Sequence, residues 1–173
     1  MMYKIGEVVS YGATGICTIE DIRMESLSRA GTKKQEYYIL RPIATPTCMT
    51  YVPVANETLT AKMRPVYSKQ QIDELIRSVQ DQKLEWIEDT RRRADVFGEI
   101  VSRGISAELM KLIACLYLEK KSRSGGGRKF GAADEKLLTS AERMISEEFA
   151  YALQIPQKQV AAYIAGRMMQ EEG

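Results

Sequence analysis

Hydrophobic and polar positions follow two rhythms along this chain. Up to about Pro65 the texture is extended. Ile5-Gly6-Glu7-Val8-Val9-Ser10-Tyr11 alternates in part, and Gly12 and Gly15 bracket a tight turn. Ile16 to Met24 is rich in β-branched residues, its apolar and polar positions mixed as in a strand covered on one face only. A loop of Ser, Arg, Gly and Lys over residues 25–34 leads to Tyr37-Tyr38-Ile39-Leu40-Arg41, where Tyr and Ile favour a strand. Pro42 and Pro46 punctuate the next turn, Pro53 stops Cys48-Met49-Thr50-Tyr51-Val52, and a last extended piece is expected near Thr60 to Arg64. Five short strands joined by tight turns predict a small curled barrel of the SH3 or Tudor kind. Such a barrel is not fully closed, and its uncovered edge is a place for a partner strand to add.

After Pro65 the period becomes helical. Ser68-Lys69-Gln70-Gln71 is a capping box, and Ile72, Leu75, Ile76 and Val79 follow at i, i+3, i+4, i+7. The change of period puts a domain boundary near residues 65–67, giving domains over 1–66 and 67–173. A second helix is expected to begin between Leu84 and Thr90, to carry Val96, Phe97, Ile100 and Val101, and to stop at Gly104. Ser106 is expected to cap a third, with Leu109, Leu112, Ile113 and Leu116 on one face. The glycines of residues 123–129 predict a loop. Asp134 to Leu153 gives the strongest helix, with Leu137, Ala141, Met144, Ile145, Phe149 and Leu153 as its stripe, and Pro156 opens a last one bearing Val160, Tyr163, Ile164 and Met168. The fold class is therefore α+β in two domains, a small barrel followed by a compact all-α bundle of four to five helices.

Composition narrows the function classes. Of 173 residues, 45% are hydrophobic and 28% charged, as in an ordinary soluble globular protein. No signal pattern or membrane-length apolar run is present, so a cytoplasmic protein with no membrane partner is expected. Cys17, Cys48 and Cys115 are far apart and odd in number, which reads as reduced, mostly buried thiols rather than a metal site or disulfide frame. With no histidine in the chain, the commonest general base and metal ligand are missing. No catalytic constellation or phosphate-binding loop is found. A non-enzyme with no cofactor and no small-molecule substrate is expected. Adjacent carboxylates such as Glu147 and Glu148 do not converge on a helix and are expected in solvent.

Net charge is only +2, but it is unevenly spread. Lys120, Lys121, Arg123, Arg128 and Lys129 occur with no acid among them, and Arg91, Arg92 and Arg93 form a second patch. The only tryptophan, Trp86, precedes that second patch. A flat apolar ring beside phosphate-seeking cations suits a wedge against stacked bases, whereas an aromatic at helical spacing is more commonly core. At most two of three consecutive helical arginines can reach one backbone. The 120–129 run reads equally as a solvated loop or as a DNA-backbone loop.

These stretches together resemble the CarD family of bacterial transcription regulators (also called CdnL), whose N-terminal domain is shared with the transcription–repair coupling factor. The likeness runs from Tyr3 to Leu153. It rests on Lys4 to Gly15, on Tyr37-Tyr38-Ile39-Leu40 followed by Tyr51-Val52-Pro53, on Trp86 and its basic follow-up, and on Ala133-Asp134-Glu135-Lys136-Leu137-Leu138 leading into Ala141. The resemblance implies a Tudor-like domain that docks on the β subunit of RNA polymerase, partly by strand addition. It also implies a helical domain lying on promoter DNA at the upstream edge of the bubble without base-specific readout, with Trp86 as a minor-groove wedge that stabilises the open complex. The DNA-contacting residues would then be Trp86, Arg91, Arg92, Arg93, Lys120, Lys121, Arg128 and Lys129. Two departures accompany it. Glu88 and Asp89 stand where the family has basic residues. Tyr51 stands where an arginine contacting polymerase is usual, leaving Arg23, Arg41 and Tyr51 as the polymerase-binding candidates. The alternative is a protein–protein adaptor whose helices do not engage DNA.

Overall fold

A computed structural model describes residues 2–27 and 33–169. The chain separates into two compact units, Met1–Val66 and Tyr67–Gly173, where the hydrophobic period changes.

The first unit is a five-stranded antiparallel sheet in the order β4-β3-β2-β1-β5. Its strands are β1 (Val8–Tyr11), β2 (Gly15–Glu25), β3 (Gln35–Pro42), β4 (Thr50–Pro53) and β5 (Met63–Pro65). β1 turns into β2 through a single 3-10 turn, Gly12–Thr14, and the positive φ of Gly12 (46°) and Gly15 (89°) explains why glycine brackets it. β2 pairs with β1 through its first residues and with β3 along most of its length, the register shifting between Ile19 and Asp21. The extra residue is Glu20, and a bulge of this kind bends a long strand so that one strand serves two neighbours. Tyr3, Val9, Cys17, Ile19, Tyr38, Leu40, Val52 and Met63 form the core on one face. One element has no counterpart in the sequence expectations. A short helix, α1 (Glu57–Thr60), precedes β5, its start capped by the Asn56 carboxamide, which accepts from the Leu59 N–H at 3.0 Å. The loop expected over residues 25–34 lies partly outside the described residues.

The second unit holds five helices among the described residues: α2 (Lys69–Val79), α3 (Thr90–Arg103), α4 (Ser106–Gly125), α5 (Ala132–Leu153) and α6 (Val160–Met169). The Ser68 capping box forms as read, with the Gln71 N–H donating to Ser68 Oγ and the Ser68 N–H to Gln71 Oε1. Gly104 closes α3 in the left-handed conformation, φ 66°. Pro156 precedes a 3-10 turn, Gln157–Gln159, which leads into α6. Phe97, Leu109, Leu112, Leu116, Ala141 and Phe149 lie at the centre of the bundle core. No described helix is long and apolar enough to cross a membrane.

One helix start resolves within its expected range, and three expectations need correction. The second helix, α3, starts at Thr90, within the expected range, because the Asp89 carboxylate caps it, accepting from the Arg92 N–H at 2.7 Å, and Trp86 therefore precedes it in residues 82–88, which form no regular helix or strand. Ser106 is the first residue inside α4, with Ile105 at the cap position. α4 runs on through Arg123 and Ser124 to Gly125, so the loop begins only at Gly126. Glu148 is buried rather than solvated, and its Oε2 accepts the Tyr67 N–H at 3.3 Å. Of the cysteines, Cys17 and Cys115 are buried and Cys48 is exposed.

Candidate functional site

In the N-terminal unit, register gathers the three polymerase-binding candidates. Residues directly opposite in an antiparallel ladder point to the same face. Arg23 lies opposite Tyr37, Asp21 and Tyr51 lie on either side of Ile39, and Arg41 lies opposite Thr18. Tyr37, Ile39 and Arg41 alternate along β3, so Arg23, Arg41 and Tyr51 share the face opposite the sheet core. At its middle Ile39 is fully buried, and Tyr37 packs edge-on to Tyr51, ring centroids 6.2 Å apart. The charges on this face are already paired. Arg23 bridges Asp21 at 3.1 Å and Glu25 at 2.6 Å, and Arg41 holds the Glu20 carboxylate and donates to the Pro46 carbonyl. The Arg41 guanidinium keeps the Glu20 carboxyl below its ordinary value.

Beside this face runs an open edge. β4 pairs only with β3 among the described strands. The Val54 N–H donates to the Glu36 carbonyl, so by alternation Val52 and Thr50 face β3 while Tyr51 and Pro53 present their backbone outward. Pro53 has no N–H to leave unpaired, which suits it to an edge position. The outward backbone of Tyr51 is what an added strand would take up.

In the helical unit, buried contacts bring the two basic stretches to one end. Arg93 is 5% exposed, and its Nε and Nη2 donate to the two oxygens of buried Asp134 at 2.9 and 3.0 Å. Its Nη1 donates to the carbonyls of Ile87 and Glu88. One guanidinium thus ties the start of α3, the start of α5 and the segment before α3. Lys120 of α4 bridges Glu135 of α5 at 2.8 Å. The C-terminal end of α4, the loop carrying Arg128 and Lys129, and the starts of α3 and α5 therefore meet. Arg91, Arg92, Lys121, Arg128 and Lys129 are exposed there, with no ion pair among the described residues. The N–H groups of two helix starts add positive potential to that end.

Trp86 sits underneath. Its ring is half-buried, edge-on to Phe97 at 6.2 Å, with the Arg93 guanidinium 4.2 Å from its centroid and the Arg123 guanidinium at 5.5 Å. Arg123 is itself held by Glu119 at 3.0 Å. The indole Nε1 is buried with no acceptor among the described residues. Nearby, burial pushes the Cys115 thiol above its ordinary value, with Glu119 and Glu85 adding to the effect.

Two site expectations change accordingly. Arg93 is not available to phosphate, because its donors are occupied inside the protein. Trp86 is not a free wedge but a half-covered ring between two cations. Asp134, the residue that makes this arrangement, carries no signal of it in the sequence, because an aspartate at a helix start looks like an ordinary helix-dipole partner. Among the described residues no group of Cys, Asp and Glu is placed to hold a metal ion.

The family model of the CarD-like/TRCF RID domain matches residues 3–67. No curated protein matches the chain.

Proposed function

We propose, from the premise that residues 3–67 belong to the CarD-like/TRCF RID domain family, that this chain is a transcription regulator joining RNA polymerase to promoter DNA. The RID match supports a polymerase partner for the first unit. Within that reading the β subunit of polymerase takes the outward edge of β4 as an added strand, with Tyr51 and the paired arginines Arg23 and Arg41 at its side. Such a regulator works in the cytoplasm and is not an enzyme.

The observation that carries the DNA half is the convergence of Arg91, Arg92, Lys121, Arg128 and Lys129 on one bundle end without acid partners among the described residues. Unpaired surface cations of this kind bind phosphate without reading sequence. A weak backbone contact gains effective concentration when a second module of the same chain is held on polymerase. At the upstream edge of the bubble it would stabilise the open complex, because contacts made only to the melted form shift the equilibrium towards it. Lys120, paired with Glu135, contributes less. Trp86 in its seat supports the end from below; a wedge role requires the ring to leave the two guanidinium groups, and its unpaired Nε1–H lowers the cost of leaving.

The test is a promoter-opening assay with the full chain. A variant combining Arg91→Ala, Arg92→Ala and Lys129→Ala is expected to shorten open-complex lifetime while retaining polymerase in a pull-down. Trp86→Ala is expected to shorten it as well. The exposed carboxylates Glu85 and Glu88 beside the ring favour a second reading, an adaptor whose helices bind protein and not DNA. Unchanged lifetimes in the triple variant would select the adaptor.

A further inference from the structure

α4 carries apolar residues on opposite sides. Leu109, Leu112, Cys115 and Leu116 are buried in the bundle core, yet Tyr117 is 57% exposed, Leu118 is 61% exposed and Ala114 is also exposed. Ala114, Tyr117, Leu118 and Lys121 follow at i, i+3, i+4 and i+7, which makes one continuous stripe. A helix apolar on two sides is expected to be covered on both. At 3.6 residues per turn, Leu118 and Lys121 lie roughly 140–160° around α4 from Arg123, whose guanidinium faces Trp86. The stripe therefore looks away from the Trp86 seat.

The charges around it select an occupant. α4 has two carboxylates, and both are engaged: Glu108 with Arg103 at 3.1 Å and Glu119 with Arg123 at 3.0 Å. Lys121 stands at one end of the stripe with no ion pair among the described residues. Lys111 stands at the other, its Nζ donating to the neutral Gln82 carboxamide at 3.2 Å, which leaves its charge uncompensated. An apolar centre with a cation at each end disfavours a second copy of the same helix. Antiparallel packing would set Lys111 against Lys121, and parallel packing would set each lysine against itself. Nor does the centre suit a duplex, whose phosphates call for cations across the whole contact.

We propose that this stripe docks an acidic amphipathic helix of a protein partner, with apolar side chains meeting Tyr117 and Leu118 and carboxylates meeting Lys111 and Lys121. Helix-on-helix packing reads anchors at this spacing, and the charges fix orientation and exclude basic partners. The proposal does not depend on the DNA reading.

The probes are two synthetic helical peptides with leucines at i, i+3, i+4 and i+7, one flanked by glutamates and one by lysines, titrated into the full-length 15N-labelled protein. The acidic peptide is expected to shift the amide signals of Ala114, Tyr117 and Leu118 and to bind about tenfold more tightly than the basic one, a ratio that falls as salt rises. Tyr117→Ser with Leu118→Ser should abolish the shifts while leaving the thermal midpoint in place, since both side chains stand in solvent. Lys111→Glu with Lys121→Glu should reverse the preference. Equal binding of the two peptides, or none, would overturn the proposal. So would shifts of the Ala114 and Tyr117 signals, away from Lys121, produced by a DNA duplex, or shifts of the stripe produced by protein concentration alone, which mean self-association.

Discussion

A guanidinium shut inside a helical unit must find a partner for each of its donors, and Arg93 finds them in Asp134 and two backbone carbonyls. Removing one member of a buried pair leaves the other charge uncompensated, at a cost of about 3–5 kcal/mol, whereas replacing both by apolar groups of similar volume is often close to neutral. Both side chains are only 7% exposed, so the buried case applies here. Asp134→Ala is therefore expected to lower the stability of the helical unit by about 3–5 kcal/mol in urea unfolding, and Arg93→Met with Asp134→Leu to recover most of it. Equal losses in the single and double variants would mean that the pair does no more than fill space. The cysteines give a second check. Cys48 is exposed, while Cys17 and Cys115 are buried and burial raises the Cys115 thiol, so less of it is thiolate at any given pH. One thiol per chain is expected to react quickly with a disulfide reagent near pH 8, and three after unfolding. None of this was legible in Arg91-Arg92-Arg93, where three identical residues in a row give no sign of which one turns inward.

Helix ends show where pattern reading works and where it stops. Ser68 and Gln71 are read correctly because a capping box is local, its two hydrogen bonds joining residues three apart. Asp89 is as local a signal, but Glu88 beside it and Trp86 before it allow several start points, and the stretch from Gln82 to Glu88 is set by contacts outside any helical spacing, Ile87 with Arg93, Trp86 with Phe97 and Gln82 with Lys111. α4 outran its expected end because three glycines weaken a helix without ending it at the first. Strand β5 and helix α1 were blurred for a related reason: a three-residue strand holds too few positions to show a period. At the other end of α5, Gln154 is the one described non-glycine residue at positive φ, 56°. A side chain in that conformation costs about 1 kcal/mol that glycine does not pay. Gln154→Gly is expected to raise stability by about that amount, measured by thermal unfolding. Asp89→Ala should lower it by about 0.5–2 kcal/mol through loss of the cap.

At the scale of the whole molecule, a net charge of +2 hides two different arrangements of charge. The sheet unit pairs its cations on the face opposite its core, Arg23 with Asp21 and Glu25 and Arg41 with Glu20, so little free charge remains there. The helical unit instead leaves five cations at one end without an ion pair among the described residues. A protein surface that neutralises its own charges loses less to desolvation when a protein partner covers it, whereas unpaired cations gain most from releasing the counterions of a polyanion. These opposite arrangements support the proposed reading of one protein-facing unit and one DNA-facing unit. They also fix the salt response. If all five cations meet phosphates, the log of DNA affinity should fall with log salt at a slope of roughly 4.5, from about 0.9 per phosphate. Each of Arg91→Ala, Arg92→Ala, Lys121→Ala, Arg128→Ala and Lys129→Ala should reduce that slope by about 0.9 and weaken binding alike on unrelated sequences. Arg93→Ala should change it only through loss of folding, visible as a lowered thermal midpoint at the same salt. A slope near zero, with polymerase still bound, would assign the cationic end to a protein partner and make the chain an adaptor.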